Sequence, residues 1–104
     1  MPLENRLRWS AQARGELEAL LERTAKRWPE TLNKIKYKVW DYTESIRQHP
    51  YIGRSGIRSG TREMVLGRYP FILVYKVDEH PDGAAPTVVH IVSIRHARMQ
   101  GGSR

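Results

Sequence analysis

The sequence predicts an α+β domain in the order strand, helix, helix, strand, strand, strand. Three observations carry this. Residues 10–28 and 29–48 repeat apolar positions at three- and four-residue steps, the pattern of amphipathic helices. Residues 61–66 alternate in chemistry, and residues 69–77 and 87–94 are dense in aromatic and β-branched side chains, as strands require. Pro and Gly punctuate the chain between these segments. Two helices, each with one apolar stripe, must share one face of the sheet. The expected architecture is therefore an N-terminal strand and a helical hairpin packed on one face of a small, mainly antiparallel sheet. The other face stays open.

The first strand is expected over residues 5–9. Ser10 then stands where a helix N-cap belongs. Ala13, Leu17, Leu20, Leu21, Thr24 and Trp28 mark the apolar stripe of the first helix. Trp28 and Pro29 break it, and Pro29 suits the first turn of the next helix. Leu32, Ile35, Val39, Tyr42 and Ile46 form the second stripe, which His49 and Pro50 end. Lys34, Lys36 and Lys38 read as a solvated helix surface, and the helical spacing of Trp28 and Trp40, like Trp9 at its strand end, reads as core.

The chain is organised around residues 53–77, where a Gly- and Arg-rich loop feeds directly into two strands. Thr61, Glu63 and Val65 fall on one side of the first, and Arg62, Met64 and Leu66 on the other. Gly67 and Arg68 make a tight turn. The run that follows is apolar on both faces, as a central, doubly covered strand demands, with Pro70 near its start. Residues 79–86 form an exposed turn-rich loop, and residues 87–94 the last strand.

At 104 residues there is room for one domain, 1–99, followed by a polar tail, 100–104, that is expected to be disordered. The formal charge is +7, from 18 Lys and Arg against 11 Asp and Glu. Such an excess favours a polyanion or an acidic protein as partner. Cysteine is absent, which excludes disulfides and thiol chemistry and agrees with a reducing, cytoplasmic setting. No apolar run approaches a membrane span, and the N-terminus shows no signal-peptide core. No His, Asp and Glu spacing points to a metal, and no glycine pattern to a nucleotide, so neither metal nor cofactor is expected.

Several short words recur in a telling order: His49-Pro50, Gly53-Arg54, Gly60-Thr61-Arg62-Glu63, Tyr69-Pro70-Phe71 with Val74-Tyr75, and IRHARM from Ile94 to Met99. Together with the helical hairpin, they resemble the ParE/RelE superfamily of type II toxin–antitoxin toxins over nearly the whole domain. The resemblance implies a small basic toxin neutralised by a co-expressed acidic antitoxin that wraps around it. That antitoxin is expected to lay an amphipathic helix in a groove beside the helical hairpin, or to add a strand to an open sheet edge.

The superfamily divides into two activities. RelE-like members cut mRNA on the ribosome with basic side chains and often a terminal tyrosine, and they place an arginine in the central strand. Here that position is Ile72, and Ala97 follows His96 where a tyrosine would be expected. The Tyr69-Pro70-Phe71 and RHARM words look more like the ParE branch, whose members poison DNA gyrase without catalysis. The favoured expectation is a ParE-like gyrase inhibitor. The alternatives are a RelE-like endoribonuclease and a non-toxic binding module of the same fold.

Site candidates follow from exposure and charge. Arg54, Arg58, Arg62, Arg68, Arg95 and Arg98 are the expected partner-binding set. If the chain is a ribonuclease, Arg62, Arg95, His96 and Arg98 would carry it, with the flanking arginines keeping His96 neutral as a base. Arg54 and Arg58 could equally pair with local carboxylates. Glu63 is expected to make a structural ion pair, with Arg62 directed to the opposite side.

Overall fold

Ser10 starts the helical layer as expected. In the computed structural model, which describes residues 4–97, it leaves β1 (Arg6–Trp9) in extended geometry, and its hydroxyl accepts from the Ala13 N–H at 3.0 Å. That bond satisfies one of the unpaired donors of α1 (Ala11–Arg27). Lys26 and Arg27 sit in the last turn, where the helix dipole favours positive charge. Pro29 does not open the second α-helix directly. It begins a separate 3-10 turn, Pro29–Thr31, and α2 (Leu32–Gln48) follows.

The sheet has five strands rather than four. Besides β1 they are β2 (Arg54–Ser55), β3 (Arg62–Val65), β4 (Phe71–Asp78) and β5 (Val88–His96), in the spatial order β1-β5-β4-β3-β2. β1 runs parallel to β5, and every other pairing is antiparallel. The additional strand is two residues long. It pairs Arg54 with Glu63 and Ser55 with Arg62, inside the segment expected to be loop. So short a strand has no periodicity of its own; its partner creates it. β5 also extends beyond Ile94 to take in Arg95 and His96. Val74 pairs with Ser93 but Tyr75 with Ile91, so Val92 is bulged.

Both helices lie on one face of this sheet. Ala13 and Leu20 of α1 and Ile35, Val39 and Ile46 of α2 join Leu73, Tyr75, Val89, Ile91 and Ile94 in a single core. Alternation along β4 sends Leu73 and Tyr75 into that core and Ile72 and Val74 to the other side, where they too are buried. β4 is thus covered on both faces, as its unbroken apolar run requires. Trp9 packs against the core, but Trp28 and Trp40 do not. They are 53% and 61% exposed, because Trp28 caps the helix with φ −142° and Trp40 lies off the buried stripe of α2. Among the described residues no helix is long and apolar enough to cross a membrane. Arg98 and the tail at 100–104 lie outside the described residues.

Candidate functional site

The segment that leads from α2 to the β2 edge of the sheet is fixed by one glycine and one tyrosine. Tyr75 is fully buried, yet its hydroxyl donates to the Pro50 carbonyl at 2.7 Å and accepts from the Gly53 N–H at 2.9 Å. A Cβ on Gly53 would stand 2.8 Å from the Glu63 carbonyl oxygen and 2.6 Å from that hydroxyl, so only glycine lets the chain pass so close. The chain leaves α2, is fastened here, and enters β2 with Arg54 opposite Glu63.

Glu63 is the centre of the arrangement. It is 3% exposed, and all its partners are cationic or N–H donors. Arg54 Nη2 donates to Oε1 at 3.2 Å, while Arg95 Nη2 and the Ile57 N–H donate to Oε2 at 2.9 and 3.3 Å. Burial pushes the carboxyl upward, but the Ile57 N–H and the Arg95 and Arg54 guanidiniums outweigh it and hold Glu63 below its ordinary value. It is therefore ionised at neutral pH and cannot serve as a proton donor. The expected structural ion pair is present, and it engages two arginines at once.

The other candidates divide. Arg58 projects from the exposed loop between β2 and β3, whose turn is closed by the Thr61 hydroxyl donating to the Arg58 carbonyl at 2.6 Å. Arg62 does point away from Glu63, but toward the chain rather than solvent. Its Nη1 donates to the Gly53 and Tyr51 carbonyls at 2.7 and 3.2 Å, and its guanidinium lies 4.9 Å from the Tyr51 ring centre. The Tyr51 hydroxyl in turn bonds Glu79, which raises its pKa. Arg68 sits at the β3–β4 turn, beside α2 and apart from the Glu63 cluster. His96 stands edge-on to Phe71, with ring centres 5.5 Å apart, one residue beyond Arg95 at the end of β5. Among the described residues the candidate arginines therefore do not form one continuous face.

A cavity of about 790 Å³ lies between this cluster and α1. Arg58, Glu63, Arg95 and His96 line it together with two residues that sequence reasoning passed over, Arg23 and Lys76. Arg23 lies beyond the buried stripe of α1 and Lys76 is the exposed alternate of β4, so neither carried a signal until the elements were placed together. Glu16, another wall residue, accepts from the Ser93 hydroxyl and the Ile94 N–H at 2.9 and 3.0 Å, pinning α1 to the bulge of β5. Among the described residues no group of three His, Asp or Glu is placed to hold a metal.

A small basic domain with this topology has known counterparts. The family model of the ParE toxin of the type II toxin–antitoxin system parDE matches residues 7–101. The chain belongs to that family. It is 25% identical over 95 residues to Y4kP of Sinorhizobium fredii (strain NBRC 101917 / NGR234), a candidate toxin by name, with 91% of each chain covered. Its fold is similar to that in the chromosomal ParDE toxin–antitoxin system of P. aeruginosa, at a TM-score of 0.74 and 21% identity, covering 89% of this chain and 96% of that one. It is also similar to a chain of the RelBE2 toxin–antitoxin complex of Mycobacterium tuberculosis, at 0.56 and 21%, covering 90% and 92%. The toxin assignment thus agrees with the sequence words that first pointed to it.

Proposed function

We propose that this toxin arrests growth in the cytoplasm by binding a protein target, DNA gyrase, and that a cognate acidic antitoxin holds it inactive. One observation carries the choice of a binding mechanism over a nuclease one. Arg54 and Arg95, two of the cations expected to bind a partner, are both bonded to the buried Glu63 carboxylate. An incoming phosphodiester would have to compete with an internal anion that is already desolvated and paired. At the neighbouring position 72, where the nuclease branch is expected to place an arginine, an isoleucine lies buried at 2% exposure. The gyrase target itself rests on the resemblance to the ParE branch. The antitoxin rests on the family and on the +7 charge.

A supercoiling assay with purified gyrase and toxin tests the proposal. Loss of supercoiling at micromolar toxin is the expected result. Unchanged supercoiling, with toxin shown to be folded by its binding of antitoxin, overturns it.

A second reading has one observation in its favour. Arg58, Lys76, Arg95 and His96 border the same cavity, so a nuclease would find cationic groups and an imidazole together there. That reading requires ribosome-dependent cuts in mRNA that disappear with His96→Ala.

A further inference from the structure

We infer that the tip of the loop between β2 and β3, Ile57 with Arg58, meets gyrase together with Arg23 and Lys76 of the same cavity. The matching surface on the partner is an apolar pocket rimmed by carboxylates. This inference rests on the reading that the toxin acts by binding gyrase, and it assigns the surface that does so.

Ile57 is 65% exposed, more than any other large apolar side chain among the described residues, on a loop where a polar residue would be better solvated. Its backbone is nevertheless held in place. The Ile57 N–H donates to Glu63 Oε2 at 3.3 Å, so the buried carboxylate is a positioning residue for the tip. The Gly56 N–H donates to the Thr61 carbonyl at 2.8 Å, and the Thr61 N–H to the Arg58 carbonyl at 3.1 Å. A Cβ on Gly56 would overlap the Thr61 hydroxyl, so this closure depends on glycine. An apolar side chain fixed toward water is unfavourable in the free protein. It becomes favourable in a complex, where a loop already ordered loses little entropy.

The charge around the tip is unbalanced. Arg58, Arg23 of α1 and Lys76 of β4 line the same cavity as Ile57, and all three are exposed. None of them forms an ion pair among the described residues. The carboxylates of the cavity wall are already engaged, Glu63 by Arg54 and Arg95, and Glu16 by Gln12, Ser93 and Ile94. The cavity therefore sets uncompensated positive charge beside an apolar tip. An apolar centre within a charged rim is the composition of a protein interface, and the rim charges select an acidic partner.

The aliphatic tip decides between partners of the same charge. A nucleic acid strand is gripped through its phosphates and by stacking of its bases on aromatic rings, and a branched aliphatic side chain offers no face for stacking. A pocket in a protein surface accepts it. A second copy of the toxin in a two-fold contact would set the same cations against each other. Residues 98–104 of the chain carry two arginines and no acidic side chain, so they are not the complement either.

The test uses purified gyrase, relaxed plasmid and purified toxin. Ile57→Ser and Arg58→Glu/Lys76→Glu are compared with wild type and with the charge-matched Lys34→Glu/Lys36→Glu on α2, each shown to be folded by its thermal unfolding. Both tip variants are expected to need about tenfold or more toxin for the same loss of supercoiling, and the matched variant to stay within about threefold of wild type. In a second arm, Ser59→p-benzoylphenylalanine is irradiated in the same mixture, and the expected product is an adduct with a gyrase subunit. Unchanged inhibition by either tip variant, an equal loss in the matched variant, an adduct with DNA or a second toxin copy, or no adduct from a toxin that still inhibits overturns the surface assignment while leaving the gyrase reading intact. Wild type without effect on supercoiling overturns both.

Discussion

Arg95 Nη2 reaches Glu63 Oε2 at 2.9 Å, joining β5 to β3 across the strand that lies between them. The bond passes over β4 on the side away from the helices, so a carboxylate only 3% exposed and one of the candidate functional arginines stabilise each other. Several consequences of this arrangement and of its supports can be measured.

The first concerns acid. The Glu63 carboxyl is held below its ordinary value of 4.5 in the folded chain. Its contribution to stability is therefore complete above that value and is lost as pH falls from there through the lower folded value. Urea unfolding of wild type should show stability declining through this acid window, and Glu63→Gln should flatten that decline. At neutral pH, Glu63→Ala is expected to cost about 2–4 kcal/mol, because two guanidiniums lose their common partner.

Tyr75→Phe removes only a hydroxyl, yet it leaves the Gly53 N–H and the Pro50 carbonyl without their buried partner. A loss of about 1–3 kcal/mol is expected in equilibrium unfolding. Amide exchange at Gly53 should accelerate more than exchange in α1, because the bond lost is local.

Gly53→Ala tests the same junction from the backbone side. Its methyl group meets the Glu63 carbonyl oxygen, part of the β2–β3 ladder, which cannot swing away as a side-chain end could. The variant should be destabilised by about 2–4 kcal/mol. Gly15→Ala is the contrasting case. Nothing lies within 4 Å of a Cβ there, and the substitution should stabilise α1 by about 0.5–1 kcal/mol.

Ser10→Ala should cost about 1 kcal/mol through the lost cap on the Ala13 N–H. Thermal unfolding by circular dichroism measures it, and Ser10→Thr, whose hydroxyl can still accept from the Ala13 N–H and donate to the Val92 carbonyl, should retain most of the stability.

Ser10, the helical stripes and the apolar density of β4 and β5 were all legible because each is a local pattern that the fold does not contradict. The opposite directions of Arg62 and Glu63 followed from strand alternation alone. What alternation could not supply was a destination. Arg62 finds backbone carbonyls at positions 51 and 53 only because Tyr75 fastens that segment beneath it. β2 exists through its pairing with β3, and Arg23 and Lys76 become neighbours of Arg95 only in three dimensions. The exposed Trp28 and Trp40 misled for a related reason. Helical spacing identifies a stripe, but whether anything covers a residue at its margin is a tertiary fact.

Growth arrest and transcript integrity, followed together after induction of wild type and His96→Ala without antitoxin, test most directly whether this toxin acts by binding rather than by cutting. The account predicts that both proteins stop growth while primer extension finds mRNA intact. Cleaved transcripts with wild type, and both cleavage and arrest abolished by His96→Ala, would contradict it.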